Sequence, residues 1–167
     1  LLLQQDQQTL VMAMKSKKKQ PELMVSVTLN DTKIEVESGQ TIWQIAKQHQ
    51  IEIPHLCYKD DANYRADGNC RACMVEIAGE RTLAASCQRM ISDGMVINTQ
   101  TNRVKSAQKM VMELLVSDQP RASDAHDPES HFWQMAAKQG LQDSRFPAIH
   151  EAIHNEKYSF ILYLLNN

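Results

Sequence analysis

His55-Leu56-Cys57, then Gly68-Asn69-Cys70-Arg71-Ala72-Cys73-Met74-Val75-Glu76, then Ala84-Ala85-Ser86-Cys87: these three short runs hold all 4 cysteines of the 167-residue chain. Their spacing is C-x12-C-x2-C-x13-C. A close Cys-x-x-Cys pair between two distant cysteines supplies four thiolates to one iron–sulfur cluster. The neighbouring residues suit a buried inorganic group. Gly68, Asn69, Ala72, Ala84, Ala85 and Ser86 are small, so the backbone comes close and its N–H groups turn towards sulfur.

Other uses of the same residues weigh less. A structural zinc site takes four thiolates, usually from two close pairs, and only one pair is present. Two disulfides suit a cysteine-rich secreted chain, whereas cysteine is sparse here and no secretory signal is visible. A thioredoxin-type pair leaves Cys57 and Cys87 without a role. Compact four-iron motifs gather their cysteines tightly and place a proline after the last one. Gln88 follows Cys87, and the outer cysteines stand far from the pair, so the pattern points to a 2Fe-2S site bound by Cys57, Cys70, Cys73 and Cys87. The plant-type spacing C-x4-C-x2-C does not fit, because the gap from Cys57 to Cys70 is too long.

Outward from this loop, the pattern predicts a small α+β domain. Residues 24–29 (MVSVTL) alternate and are β-branched, Asn30-Asp31 turns, and residues 33–37 (KIEVE) alternate again, a β-hairpin. Ser38-Gly39 ends it. Thr41 with Gln44 forms a capping box for a helix whose apolar face is Ile42, Ile45 and Ala46; Trp43 reads as packing. Pro54 straightens the chain into Cys57, and a polar irregular loop runs to Cys73. Strands are expected at Met74–Ile77, over Arg81 to Ala85, and at Met95–Ile97, with turns at Gly79-Glu80 and Asp93-Gly94. Two strands, a helix, a cluster loop and three short strands make the β-grasp order of a small ferredoxin. Short helices follow: residues 101–117 with Val104, Ala107, Val111 and Leu114 on one face, then a polar linker over 118–126. A second helix has Asp127 as N-cap and Pro128 at its first position, and Gly140 stops it. The expected organisation is a flexible extension over 1–23, a 2Fe-2S ferredoxin-type domain over 24–100, a helical appendage over 101–147 and an uncertain tail over 148–167.

Composition narrows the function. A net charge of −2 gives no reason to expect nucleic acid, and the lysines at 15 and 17–19 read as a solvated tail. No apolar run approaches the roughly 20 residues of a membrane span. The default compartment is a reducing cytoplasm. The chain begins at Leu1, and Met12, Met14 and Met24 each stand as a possible start.

The cysteine runs quoted above resemble the N-terminal ferredoxin domain shared by several large oxidoreductase subunits. These are the alpha subunit of molybdenum- or tungsten-containing NAD-dependent formate dehydrogenase, the large iron–sulfur subunit of respiratory complex I, and iron-only hydrogenases. Asp118-Gln119-Pro120, Phe132-Trp133 and Arg145-Phe146-Pro147 look most like formate dehydrogenase alpha. The resemblance covers residues 24–147. It implies an electron relay between a molybdenum centre and a flavin/NAD-binding subunit, with molybdopterin and further iron–sulfur clusters present only in a full-length homologue. The chain by itself is expected to hold no catalytic site. A hydrogenase-type or complex-I-type electron-transfer subunit is the alternative, and a zinc-binding assembly module is the alternative from another class. Complex I and many hydrogenases continue with a second motif of one histidine and three cysteines. No cysteine follows Cys87 here, so His126, His131, His150 and His154 read as surface or helix residues, and the chain looks like a fragment or a free-standing module.

Overall fold

The computed structural model describes residues 23–61 and 64–146. The extension before residue 23 and the tail beyond 146, with His150 and His154, lie outside the described residues. Five strands form one mixed sheet: β1 (Met24–Leu29), β2 (Thr32–Glu37), β3 (Met74–Ile77), β4 (Ala84–Ala85) and β5 (Val96–Asn98), in the order β2-β1-β5-β3-β4. β1 and β2 pair antiparallel with Leu29 opposite Thr32. Asn30 and Asp31 take φ of 48° and 68°, the left-handed pair that a two-residue hairpin turn needs and that Asn and Asp tolerate. β5 runs parallel to β1 and antiparallel to β3. The hairpin turn is tied across the sheet, for Thr99 N donates to Asn30 Oδ1 and Asn30 Nδ2 to Thr99 Oγ1, both at 2.8 Å.

Helix α1 (Ile42–Gln48) lies on this sheet. Both halves of the expected capping box form: Thr41 N donates to Gln44 Oε1 at 2.9 Å and Gln44 N to Thr41 Oγ1 at 3.3 Å. Ile42, Ile45 and Ala46 are completely buried against Val27, Val75 and Ile97. Each such aliphatic side chain contributes roughly 1.5–3 kcal/mol of burial. The first-turn N–H groups of a helix have no partner inside it. Here Ile42 N donates to Arg89 O at 2.9 Å and Trp43 N to Ser86 O at 3.0 Å, so the start of α1 grips the chain on both sides of Cys87.

Helix α2 (Asn102–Ser117) crosses beside β3. Its N-cap Thr101 accepts from Val104 N and donates to Glu76 Oε2 on β3 at 2.8 Å. A 3-10 turn at Ala122–Asp124 leads to helix α3 (His131–Lys138). Gly140, at φ 70°, ends α3: its N–H reaches Ala137 O and Leu141 N–H reaches Ala136 O, the paired bonds of a Schellman motif.

Three local expectations are corrected. The inward face of α2 is Val104, Gln108, Met112 and Val116, with Ala107 and Val111 half-buried and Leu114 48% exposed. The helix is turned because two polar side chains on its inward face have partners: Gln108 Nε2 donates to Met74 O at 2.8 Å, and Glu113 pairs with the exposed Arg145 at 3.2 Å. Secondly, the N-cap of α3 is Ser130 rather than Asp127. Asp127 instead accepts from Glu129 N at 3.0 Å, and its carbonyl accepts from Ser130 N, which spends Pro128 in a turn ahead of the helix. Thirdly, the returning strand is only Ala84–Ala85, because the segment before it runs as turn and loop.

Thr41→Ala removes the side-chain half of the capping box. It is expected to lower unfolding stability by about 1 kcal/mol, seen as a shifted urea midpoint with an unchanged slope.

Candidate metal centre

The four cysteines arrive from separate places in the fold. Cys57 follows the extended run after α1, Cys70 and Cys73 bracket a tight turn entering β3, and Cys87 follows β4. Cys57, Cys73 and Cys87 are buried and Cys70 is half-buried; all four are free thiols. The fold brings them together: the Cys57 thiol lies near enough to those of Cys70 and Cys87, and the Cys87 thiol to that of Cys73, to shift one another's protonation. Among the described residues, no three His, Cys, Asp or Glu side chains gather around one point as they would around a single metal ion.

The backbone is arranged to favour thiolates. Cys70 N donates to Cys57 Sγ at 3.4 Å. The neighbouring thiols of Cys70 and then Cys87 lower the Cys57 pKa, burial opposes them, and the N–H groups of Cys70 and Asn69 add to the lowering. Cys73 is also lowered, chiefly by the Cys87 thiol. Cys70 and Cys87 are correspondingly raised: Cys70 chiefly by Cys57, and Cys87 by Cys57 and then Cys73. Cys57 and Cys73 thus lean towards thiolate, and Cys70 and Cys87 towards thiol.

The turn between the paired cysteines explains the N–H groups. Arg71 takes φ of 56°, a left-handed conformation that a bulky residue adopts only under constraint. It curls the backbone so that Ala72 N–H faces the Cys70 sulfur. Gly68, at φ 65°, lies under the Gln88 side chain, and a Cβ there would stand 2.8 Å from Gln88 Cδ. Gln88 Nε2 in turn donates to Ala66 O at 2.8 Å and closes the loop from above. Tyr64 Oη donates to Cys57 O at 2.9 Å, and Ser86 N to Cys73 O at 3.1 Å. Ser86 Oγ is fully buried without a hydrogen-bond partner, and it stands close enough to the Cys73 sulfur to favour its thiolate. A buried orphan hydroxyl is a cost unless something accepts from it. A sulfur-rich group seated among these thiolates fits that donor, the inward N–H groups and the glycine under Gln88.

Sequence reasoning chose the cysteines and the small residues but missed Arg71, Tyr64 and Gln88. Gln88 carried no signal beyond following Cys87. Trp43 is packing, as expected. It is 6% exposed, with the His55 and Tyr58 rings edge-on at centroid distances of 4.7 Å. His126 and His131 are exposed, and His131 Nε2 lies 3.0 Å from His55 O.

Residues 22–102 match the family model of the 2Fe-2S iron–sulfur cluster binding domain. The chain contains a 2Fe-2S ferredoxin domain. Its relatives include a component of the NADH-quinone oxidoreductase of Rickettsia typhi, 40% identical over 97 residues, which are 58% of this chain and 14% of that protein. The HndD component of the NADP-reducing hydrogenase of Solidesulfovibrio fructosivorans is 36% identical over 129 residues, 74% of this chain and 22% of that protein. The crystal structure of an NAD+-reducing nickel–iron hydrogenase in the H2-reduced state overlays with a TM-score of 0.62 at 23% identity, covering 75% of this chain and 53% of that one. That likeness establishes the ferredoxin-like fold. The chain spans under a quarter of the length of these two curated relatives.

Two glycines separate strain from crowding. Gly68→Ala and Gly79→Ala both place a side chain at positive φ, but nothing lies within 4 Å of a Cβ at Gly79. Gly79→Ala is expected to cost on the order of 1 kcal/mol. Gly68→Ala is expected to cost more and to raise hydrogen exchange at residues 64–70, where Gly79→Ala leaves it unchanged.

Proposed function

We propose that this chain is an electron-transfer module carrying one 2Fe-2S cluster, with Cys57, Cys70, Cys73 and Cys87 as its ligands. The gathering of four buried or half-buried thiols, with N–H groups turned onto their sulfurs, carries the reading. When bound, such a cluster takes up and releases single electrons. The protein's share is to hold four thiolates at fixed positions, to stabilise their charge with peptide N–H groups, and to keep most water away from three of the four. Small reorganisation follows from a rigid ligand shell: Cys73 and Cys87 belong to the sheet core, where α1 fixes the chain on either side of Cys87.

The finer reading is the N-terminal part of a formate dehydrogenase alpha subunit, relaying electrons between a molybdenum centre and a flavin/NAD-binding subunit in the cytoplasm. Asp118-Gln119-Pro120, Phe132-Trp133 and Arg145-Phe146-Pro147 support it. A hydrogenase-type or complex-I-type subunit is the second reading, favoured by the names of the relatives above. No helix among the described residues is long and apolar enough to cross a membrane.

The purified chain is expected to contain ~2 iron and ~2 acid-labile sulfide, the content of a 2Fe-2S cluster, and to give an electron paramagnetic resonance signal after reduction. Cys73→Ser is expected to lose both. Stoichiometric zinc, or ~4 iron per chain, would sink the assignment.

As a relay, the chain is expected to take electrons from dithionite and pass them to a dye while neither oxidising formate nor reducing NAD alone. Formate-dependent NAD reduction should appear only when the remaining subunits of a formate dehydrogenase are added. Co-purification with a hydrogenase instead would select the second reading.

A further inference from the structure

The ligand loop is shared between two hydrophobic cores. Cys73 and Cys87 are built into the core between α1 and the sheet. Ala72, completely buried, belongs to a second core with Met112, Phe132, Trp133 and Ala136, against which Cys70 and Leu56 pack. The boundary between the cores therefore falls inside the Cys70–Cys73 turn. Helix α3 is also pinned to the segment that leads into Cys57. His131 Nε2 lies 3.0 Å from His55 O, and Lys138 pairs with Glu52. On the other side, α2 holds the chain beside Cys73 through Gln108 Nε2 and Met74 O. These attachments come from residues beyond position 102, outside the stretch that matches the ferredoxin family.

We propose that helix α3 is a wall of the metal centre and that Phe132 is a positioning residue for Cys70, setting how much water reaches the metal centre beside that thiol. The inference rests on the iron–sulfur reading above and extends it to a helix that supplies no ligand. Cys70 is the one thiol that is only half-buried, so its exposure is the quantity most open to adjustment. Solvent exposure and hydrogen bonding to sulfur are among the factors that set an iron–sulfur potential. Water stabilises the more negatively charged, reduced form. Loosening the wall therefore raises the potential.

Phe132 is 1% exposed, and Phe132→Ala opens a cavity in the second core. Val25→Ala, on the hairpin strand β1 opposite Val36 and outside the second core, serves as a control for general destabilisation. In the cluster-loaded chain, Phe132→Ala is expected to favour reduction about tenfold, an upward midpoint shift of about 59 mV for one electron, with a changed paramagnetic resonance line shape. Val25→Ala should lower the melting temperature and leave potential and line shape alone. In iron-free protein, alkylation mapped by mass spectrometry should label Cys70 several-fold faster in Phe132→Ala, with Cys73 and Cys87 at wild-type rates. This arm does not need the cluster, so its failure is distinguishable from absence of iron in the wild type, which would overturn the functional reading instead. Where Phe132→Ala does not fold, Phe132→Leu and His131→Ala carry the same measurements. Faster Cys70 labelling in either supports the wall. Wild-type potential and wild-type labelling of Cys70 in the folded variants, or equal effects from Val25→Ala, overturn it.

Discussion

Four sulfurs held close together inside a protein are the constraint on which the rest of this structure depends. Thiolates repel one another, and burying an uncompensated charge costs many kcal/mol. The chain meets that cost with peptide dipoles. Arg71 accepts a left-handed backbone so that N–H groups face sulfur, and Cys70 N–H reaches back to Cys57. Cys57 and Cys73 lean towards thiolate, and Cys70 and Cys87 towards thiol. Cluster ligation would require all four as thiolates, so it would be coupled to proton release.

Helix α1 shows how a local motif becomes part of a distant site. Its capping box satisfies Thr41 and Gln44, yet the next two N–H groups are left over by the geometry of any helix. They are spent on the carbonyls of Arg89 and Ser86. The helix start thus locks the Cys87 segment, while Ile42, Ile45 and Ala46 lock the helix onto the sheet. Thr101 works in the same manner for α2, capping its helix and bonding to Glu76 on the strand that follows Cys73. The positions of Cys73 and Cys87 are in this way set by the two helix starts as well as by the loop.

Much of this was legible before any coordinates. Alternation over residues 24–37, the Thr41 and Gln44 pair and the small residues beside the cysteines each rest on local rules that act within a few residues. The errors lie where a distant partner overrules a local rule. Apolar counting on α2 excludes Gln108 and Glu113, but a carbonyl on β3 takes the one and the Arg145 guanidinium, reaching in from the surface, takes the other. Asp127-Pro128 has the form of a helix start, but Asp127 closes a turn by accepting from Glu129 N and Ser130 N, so Ser130 begins the helix.

By itself the sequence determined the four-thiol ligand set as the chemistry to expect, the hairpin and helix that precede it, and the ferredoxin order of elements. Those follow from residue type and spacing, which are properties of the chain alone. Only the tertiary structure decided that Gln88 closes over Gly68, that Ser86 brings a buried hydroxyl beside Cys73, and that the Cys70–Cys73 turn divides its thiols between two cores. Each of these joins residues far apart in sequence or depends on which face of a helix is turned inward. Such contacts are chosen by the packing of the whole molecule, and no local pattern encodes them.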